Sequence, residues 1–381
     1  MKEVGVTRNL AVAALVGLAG VAATGPIAGW GRFWVNWILW FLFVLTIGLG
    51  SMFIVALEHL VGARWSVPLR RIPERLSSLT LLMAPAVLLA LLSLRSLYPW
   101  SQPESLNDPV VAGKSGWLNI PFFAARALIC VGLWLLSYGV FVAGSYRQDD
   151  DRDPRFNVRA RRFAPVFMIL FAVTITVVAF DWISSLEPKW YSDIFGVYVF
   201  AGTFLAGLAA TTLLLLYLRA HGRLPGIGPD HLYNLGGFLF AFTVFWSYIG
   251  FAQYLLMWYA NLPEEVFWYR ERLQGPWLPL VLGLALFHFF VPFFVLVPRD
   301  AKSDPRRLKW VAALVLCSHW LDLYWMIFPV LGKGPLLGWS ELSFGVFFTS
   351  IGLLWVRGAM RRGADMPVGD PFLRAGLEFH L

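Results

Sequence analysis

Apolar residues run along this chain in long stretches, separated by short polar segments that are rich in arginine. A helix needs about 20 apolar residues to cross the hydrocarbon core of a bilayer. Only a helix, as a single segment, satisfies its own backbone hydrogen bonds in lipid. The pattern therefore predicts an all-α polytopic membrane protein with a single integral membrane domain, residues 1–381. Its ten predicted helices lie at about 10–29, 33–61, 76–98, 121–144, 163–184, 195–219, 234–260, 276–298, 308–332 and 341–357.

The loops between these helices alternate in charge. Two loops on one side carry most of the early arginines: Arg64, Arg70, Arg71 and Arg75, then Arg147, Arg152, Arg155, Arg159, Arg161 and Arg162. The loops on the other side carry few basic residues: Arg32, Lys114, Lys189, Arg270, Arg272 and Lys333. Because basic loops stay in the cytoplasm, both termini are expected there. One missed helix would invert every later loop, so the alternation also supports ten.

Composition agrees with a membrane protein and excludes several other classes. Hydrophobic residues make up 58% of the chain and charged residues 14%, whereas soluble domains carry about 25% charged residues. The net charge of +8 resides in the short loops, so it does not indicate nucleic-acid binding. Cys130 and Cys317 lie inside predicted helices and form no C-x-x-C motif. That excludes c-type haem, thiolate-bound iron–sulfur clusters and structural zinc in this chain.

Four ionisable residues interrupt the apolar stretches: Asp181, His288, His319 and Asp322. A charge in the hydrocarbon layer costs between ~2.5 and ~17 kcal/mol, so such residues usually face a protein interior. His319 and Asp322 are three residues apart and share a helix face. Buried imidazoles and carboxyls can pass protons, which makes the four a candidate proton relay. The alternative is a set of hydrogen bonds between helices, each contributing about 0.6 kcal/mol.

Glu58 and His59 end the second predicted helix near the basic loops, where they could form the cytoplasmic mouth of a proton path. Partial exposure at the membrane interface is the simpler interpretation. Arg126, near the outer start of the fourth helix, is expected to extend its guanidinium to the interface. Two further ideas have weak support: haem b between His288 and His319, because no four-histidine pattern accompanies the pair, and a metal bound by His319 and Asp322.

For the aromatic loops and for the first predicted helix, the sequence does not decide what they contact. The loops opposite the termini are rich in aromatic residues, for example 182–190 and 261–277. They form either an aromatic belt at the interface or a docking face for another protein. The first predicted helix carries Ala13, Gly17, Gly20 and Gly25, and small residues allow close helix packing in lipid. That helix packs either on another subunit or on its own neighbours.

Several stretches together resemble one protein family over nearly the whole chain, about residues 33 to 380. They are 63–74, 114–119 with Phe122, Phe123 and Arg126, 181–182 with 185–190 and 194–198, 240–246 with 253–254 and 258–265, and 319–320 with 322–325 and Pro329. The stretch from 181 to 329 is the most specific. The chain resembles the F subunit of alternative complex III, the bacterial quinol:cytochrome c (or high-potential iron–sulfur protein) oxidoreductase.

The resemblance implies an NrfD-like fold, as in the polysulfide-reductase membrane subunit, with two four-helix bundles and two peripheral helices. It implies a bacterial cytoplasmic (inner) membrane location and an electron-transport role, in a respiratory or photosynthetic chain. The implied partners are a sister NrfD-like subunit, an iron–sulfur subunit, multihaem and monohaem cytochromes c, small membrane anchors and lipids. Those partners would carry the c-type haems and iron–sulfur clusters, and this chain no redox cofactor. Whether it binds quinone stays open.

The implied function is therefore that of a subunit without its own catalytic residues, providing a proton half-channel. Two other functions remain open at this point. A proton-coupled secondary transporter would usually show two inverted halves with broken helices, and no clear internal repeat is visible. A structural scaffold would hold redox partners through the outer loops and need no relay.

Overall fold

The protein is an all-α polytopic membrane protein with about ten spans. A computed structural model describes residues 2–332 and 334–381, with side chains from Gly5 onward. The chain is 81% helical, and no strand occurs in these residues. Within the same residues, nine helices are long and apolar enough to cross a membrane, and one bent helix pair supplies a tenth span. Lys333, one of the basic residues of the outer loops, lies outside the described part.

We number the ten spans in chain order. They are α1 Gly5–Ala28, α2 Trp30–Val61, α3 Arg71–Met83 with Ala86–Leu92, α4 Ile120–Asp151, α5 Arg155–Leu186, α6 Phe195–Ala220, α7 Pro229–Ala260, α8 Gly275–Leu296, α9 Pro305–Leu331 and α10 Trp339–Met360. A further helix outside the spans, Pro263–Arg272, follows α7.

Span boundaries lie within a few residues of the hydropathy pattern except at three places. The α4 helix continues to Asp151 and α5 begins at Arg155, because a helix satisfies its own backbone and need not end at the edge of the hydrocarbon. The structure contains the third predicted span, 76–98, with an earlier start and a bend. That span starts at Arg71 and bends by 42° between Met83 and Ala86. Pro85 lies at the bend, where it lacks an N–H and its ring clashes with the preceding turn.

We group the eight spans α2 to α9 into two sets of four. The α2, α3, α4 and α5 helices pack together, and α6, α7, α8 and α9 form the second set. The central helices α2 and α6 join the sets. The α1 and α10 helices lie outside and pack on each other. The small residues of α1 therefore serve an intramolecular contact: a Cβ on Gly17 would come within 2.6 Å of the Phe347 backbone.

Backbone contact between α2 and α6 sets the spacing of the two sets. A Cβ placed on Gly50 would lie 2.1 Å from the Thr203 carbonyl oxygen. A Cβ placed on Gly207 would lie 2.4 Å from the carbonyl carbon of Gly50. Both positions thus require glycine, since any side chain would force the backbones apart.

Buried ion pairs hold the C-terminal segment, residues 361–381, against the loops on the side of the termini. Asp370 accepts a 2.5 Å hydrogen bond from Arg70, and Asp365 accepts one of 2.6 Å from Arg75. Arg70 also pairs with Glu58 at 2.8 Å. We call this side the terminal side, and the side with loops 93–119, 187–194, 261–274 and 332–338 the opposite side.

Candidate functional site: a buried carboxyl beside two imidazoles

Asp322 of α9 lies inside the second helix set, with 1% of its surface exposed. The Tyr198 hydroxyl of α6 donates a 2.6 Å hydrogen bond to one carboxyl oxygen. The Trp246 indole N–H of α7 donates a 3.2 Å bond to the other. Both donors are neutral, and no cation of the described residues lies within salt-bridge distance of this carboxyl. Because a buried carboxylate needs a compensating charge, this group is suited to carry a proton.

His288 of α8 lies next to the same tryptophan. Its imidazole stacks on the Trp246 ring with centroids 4.0 Å apart and planes at 26°. The residue belongs to a π-helical segment, Ala285–Phe290, a local widening of the helix that is frequent at functional sites. Neither ring nitrogen has a hydrogen-bond partner among the described residues. Trp246 thus contacts both the carboxyl and an imidazole whose nitrogens are free.

His319, one turn before Asp322 on α9, faces the central helices. Its Nε2 lies 3.0 Å from the Thr46 hydroxyl of α2, and its Nδ1 has no partner among the described residues. A Cβ on Gly202 of α6 would approach this imidazole to 3.2 Å. Glycine at that position therefore leaves the space that the ring occupies. We call Asp322, His288, His319, Tyr198 and Trp246 the inner cluster.

Asp181 of α5 is not brought into the inner cluster. Arg126 of α4 donates two hydrogen bonds to its carboxylate, at 2.7 and 3.0 Å, and the Trp117 indole donates a third at 3.0 Å. The guanidinium also lies 4.1 Å from the Trp117 ring. The prediction that Arg126 extends to the interface was wrong, because its charge is buried and paired with this acid. Asp181 and Asp322 share no hydrogen-bonding partner in the described part of the chain.

Glu58 and His59 line a small cavity on the terminal side, of about 80 Å³. Arg70, Asn157 and Asp370 contribute to the same walls. Burial lowers the pKa of Arg70, but Glu58, Glu74 and Asp370 raise it more, so its pKa lies above the usual value and it stays cationic. Glu58 is therefore held in an ion pair, while His59 stacks on Phe141 with centroids 5.9 Å apart.

Sequence reasoning missed Tyr198 and Trp246, which donate hydrogen bonds to Asp322, and Thr46, which contacts His319. The resembling stretches 194–198 and 240–246 end on the first two, which was the available signal. For bound metals, the described residues contain no group of three or more His, Cys, Asp or Glu side chains that could hold an ion.

The comparisons with known proteins give no family assignment. A scan against protein-family models finds no match, and a search of curated proteins finds no significant match.

Proposed function

We propose that this chain is a membrane subunit of a bacterial quinol:cytochrome c (or high-potential iron–sulfur protein) oxidoreductase of the alternative complex III type. In this proposal it contains no redox cofactor and provides a proton half-channel. The resemblance over residues 33 to 380 supports the family. The grouping of eight spans into two sets of four, with α1 and α10 outside, agrees with the NrfD-like fold that the resemblance implies.

One observation carries the proton-path part of the proposal: Asp322 is buried and has only neutral donors, and one of these, Trp246, stacks on the His288 imidazole. Among the described residues, both ring nitrogens of His288 and the Nδ1 of His319 have no hydrogen-bond partner. A purely structural carboxylate would be expected to have a cationic partner, as Asp181 has in Arg126. The two acids thus differ: Asp181 belongs to a stabilising ion pair, and Asp322 is a group able to gain and lose a proton.

The proton path in this proposal runs through His319, His288 and Asp322, with the cavity at Glu58 and His59 as its mouth on the terminal side. The arginine-rich loops favour the cytoplasm for that side. The Tyr198 hydroxyl, at 2.6 Å from Asp322, supplies an exchangeable proton next to the carboxyl. Asp181 has a structural role here. The c-type haems and iron–sulfur clusters belong to partner subunits, which include a sister NrfD-like subunit, cytochromes c and membrane anchors.

The test is proton-to-electron stoichiometry of the intact complex in proteoliposomes. Asp322→Asn should leave assembly and electron transfer in place while lowering the protons moved per electron, because an amide cannot take up a proton. Asp322→Glu should restore part of the loss. Asp181→Asn is the matched control: it should lower the yield of assembled complex and leave the stoichiometry of the surviving complex unchanged.

Unchanged stoichiometry in Asp322→Asn would contradict the proton path and favour a scaffold instead. One observation supports that second candidate. Trp258 and Tyr259 lie at the opposite-side end of α7 with 61% and 84% of their surfaces exposed. Exposed aromatic residues are enriched at protein interfaces. If the chain is a scaffold, substitution of these two residues should reduce the binding of partner subunits. The complex that still assembles should move the normal number of protons per electron.

A further inference from the structure

A groove of about 860 Å³ lies between α4 and α5 at the terminal side of the membrane. Its apolar walls come from both helices and its rim is basic. The lining residues are Leu136, Val140, Pro154, Arg155, Val158, Arg159, Arg162, Phe163 and Val166. The volume is at the upper end of the ~300–1,000 Å³ typical of ligand pockets.

All the charged side chains that line this groove are basic. Arg155, Arg159 and Arg162 are spaced i, i+4 and i+7, so they project from one face of α5. No acid is among the lining residues. Asp153 accepts a hydrogen bond from the backbone N–H of Arg155, the first residue of α5, and pairs with its guanidinium at 2.5 Å. Arg159 and Arg162 have no acidic partner within the part of the chain that the structure describes.

The neighbouring acids at the end of α4 do not offset this charge within the groove. Asp149 pairs with the buried Arg71 on the other side of α4. Asp150 and Asp151 do not line the groove.

The apolar part lies directly below the arginines in the direction of the hydrocarbon. Val140 and Phe163 are the more buried of its side chains, and Leu136 and Val166 are exposed. Val140 belongs to a π-helical segment of α4, Gly139–Ala143. A ligand that fits must therefore carry an anion at one end and a hydrocarbon chain at the other.

We propose that this groove is a binding site for an acidic phospholipid of the leaflet on the terminal side. The phosphate would contact Arg159 and Arg162, and an acyl chain would lie along Leu136, Phe163 and Val166. Basic pockets between membrane helices bind anionic head groups in this way. A zwitterionic lipid would fit the apolar walls equally well but would gain less from the arginines. This site is independent of the proposed electron-transport function.

The experiment titrates the purified full-length chain in detergent with phosphatidylglycerol or phosphatidylcholine of identical acyl chains, followed by native mass spectrometry. The wild-type protein should retain phosphatidylglycerol more tightly. Arg159→Gln/Arg162→Gln should weaken its binding about fivefold for each arginine removed. Leu136→Trp, which narrows the groove and leaves the charges, should weaken both lipids.

The matched control is Arg306→Gln/Arg361→Gln, which removes two exposed arginines from the same side outside the groove. It should bind phosphatidylglycerol as wild type does. Equal binding of the two lipids by the wild type, or an equal loss in the control, would overturn the proposal. Each variant must elute as a monodisperse species and keep its thermal unfolding midpoint, so that misfolding is not read as lost binding.

Discussion

Asp181 and Asp322 are both buried carboxyls on membrane spans, but their surroundings differ. Asp181 receives two hydrogen bonds from the Arg126 guanidinium. Asp322 receives only neutral donors, from Tyr198 and Trp246. A buried carboxylate with a cationic partner has its charge compensated within the fold, whereas a buried carboxyl with neutral donors does not. The presence of an acid in a span is thus insufficient to predict its role.

Arg126→Ala should destabilise the protein by about 3–5 kcal/mol, because it leaves Asp181 buried without its cation. The double variant Arg126→Ala/Asp181→Ala should lose much less than the sum of the two single variants. Thermal or denaturant unfolding in detergent, evaluated as a double-mutant cycle, measures the coupling. Additive losses would mean that the two groups do not stabilise each other.

The Arg126–Asp181 pair also shows how much of the site the sequence could predict. Hydropathy placed Asp181 and Arg126 on neighbouring spans near the same membrane face. Hydropathy does not define how either helix is rotated about its own axis. The sequence was therefore equally compatible with the Arg126 guanidinium at the membrane interface and with the guanidinium at Asp181. In the same way, the spacing of His319 and Asp322 predicted a shared face, but not that Thr46 would contact the first and Tyr198 the second.

Helix packing depends on side-chain size where α2 crosses α6. Gly50 and Gly207 bring the two backbones into direct contact and thereby fix how the two sets of spans meet. The prediction of ten spans came from apolar length, which the bilayer thickness dictates. Which spans would be neighbours depends on such close contacts between residues that are far apart in sequence, and a single chain contains no signal for them.

Gly207→Ala should therefore destabilise the protein by roughly 3 kcal/mol, the upper end of overpacking costs, because the contact is with backbone that cannot rotate away. Gly132→Ala, on α4 with open space around it, is the control and should change stability little. The thermal unfolding midpoint in detergent reports both. A similar midpoint for the two variants would mean that α2 and α6 separate without cost.

On the scale of the whole molecule, the C-terminal segment joins loops from distant parts of the chain. Asp365 accepts hydrogen bonds from Arg75 and from Arg223, at 2.6 and 2.8 Å. Burial raises the pKa of Asp365, but the bonds and charges of the two arginines outweigh it and lower the pKa below 3.8. The contact thus stabilises the docked segment mainly while the carboxylate is ionised.

Acid should release this segment. Because the folded pKa of Asp365 lies below its unfolded value of 3.8, the stabilisation is present above that value and is lost as the pH falls through the folded pKa. Hydrogen exchange of residues 361–381, corrected for intrinsic rates, should rise in this window. Asp365→Asn should show raised exchange at neutral pH and a smaller further increase in acid. An identical acid response in this variant would assign the release to other groups.

Arg70 and Arg75 are translated long before the acids that pair with them. Asp370 and Asp365 lie 300 and 290 residues later in the sequence. At about 5–20 residues per second, that delay is roughly 15–60 s of translation. During this time both guanidiniums stay hydrated or rely on nearer acids such as Glu58. The terminal side of the protein therefore completes its ion pairs only after the last spans have inserted, and a nascent chain stalled before Asp365 would leave Arg75 without the acid that pairs with it.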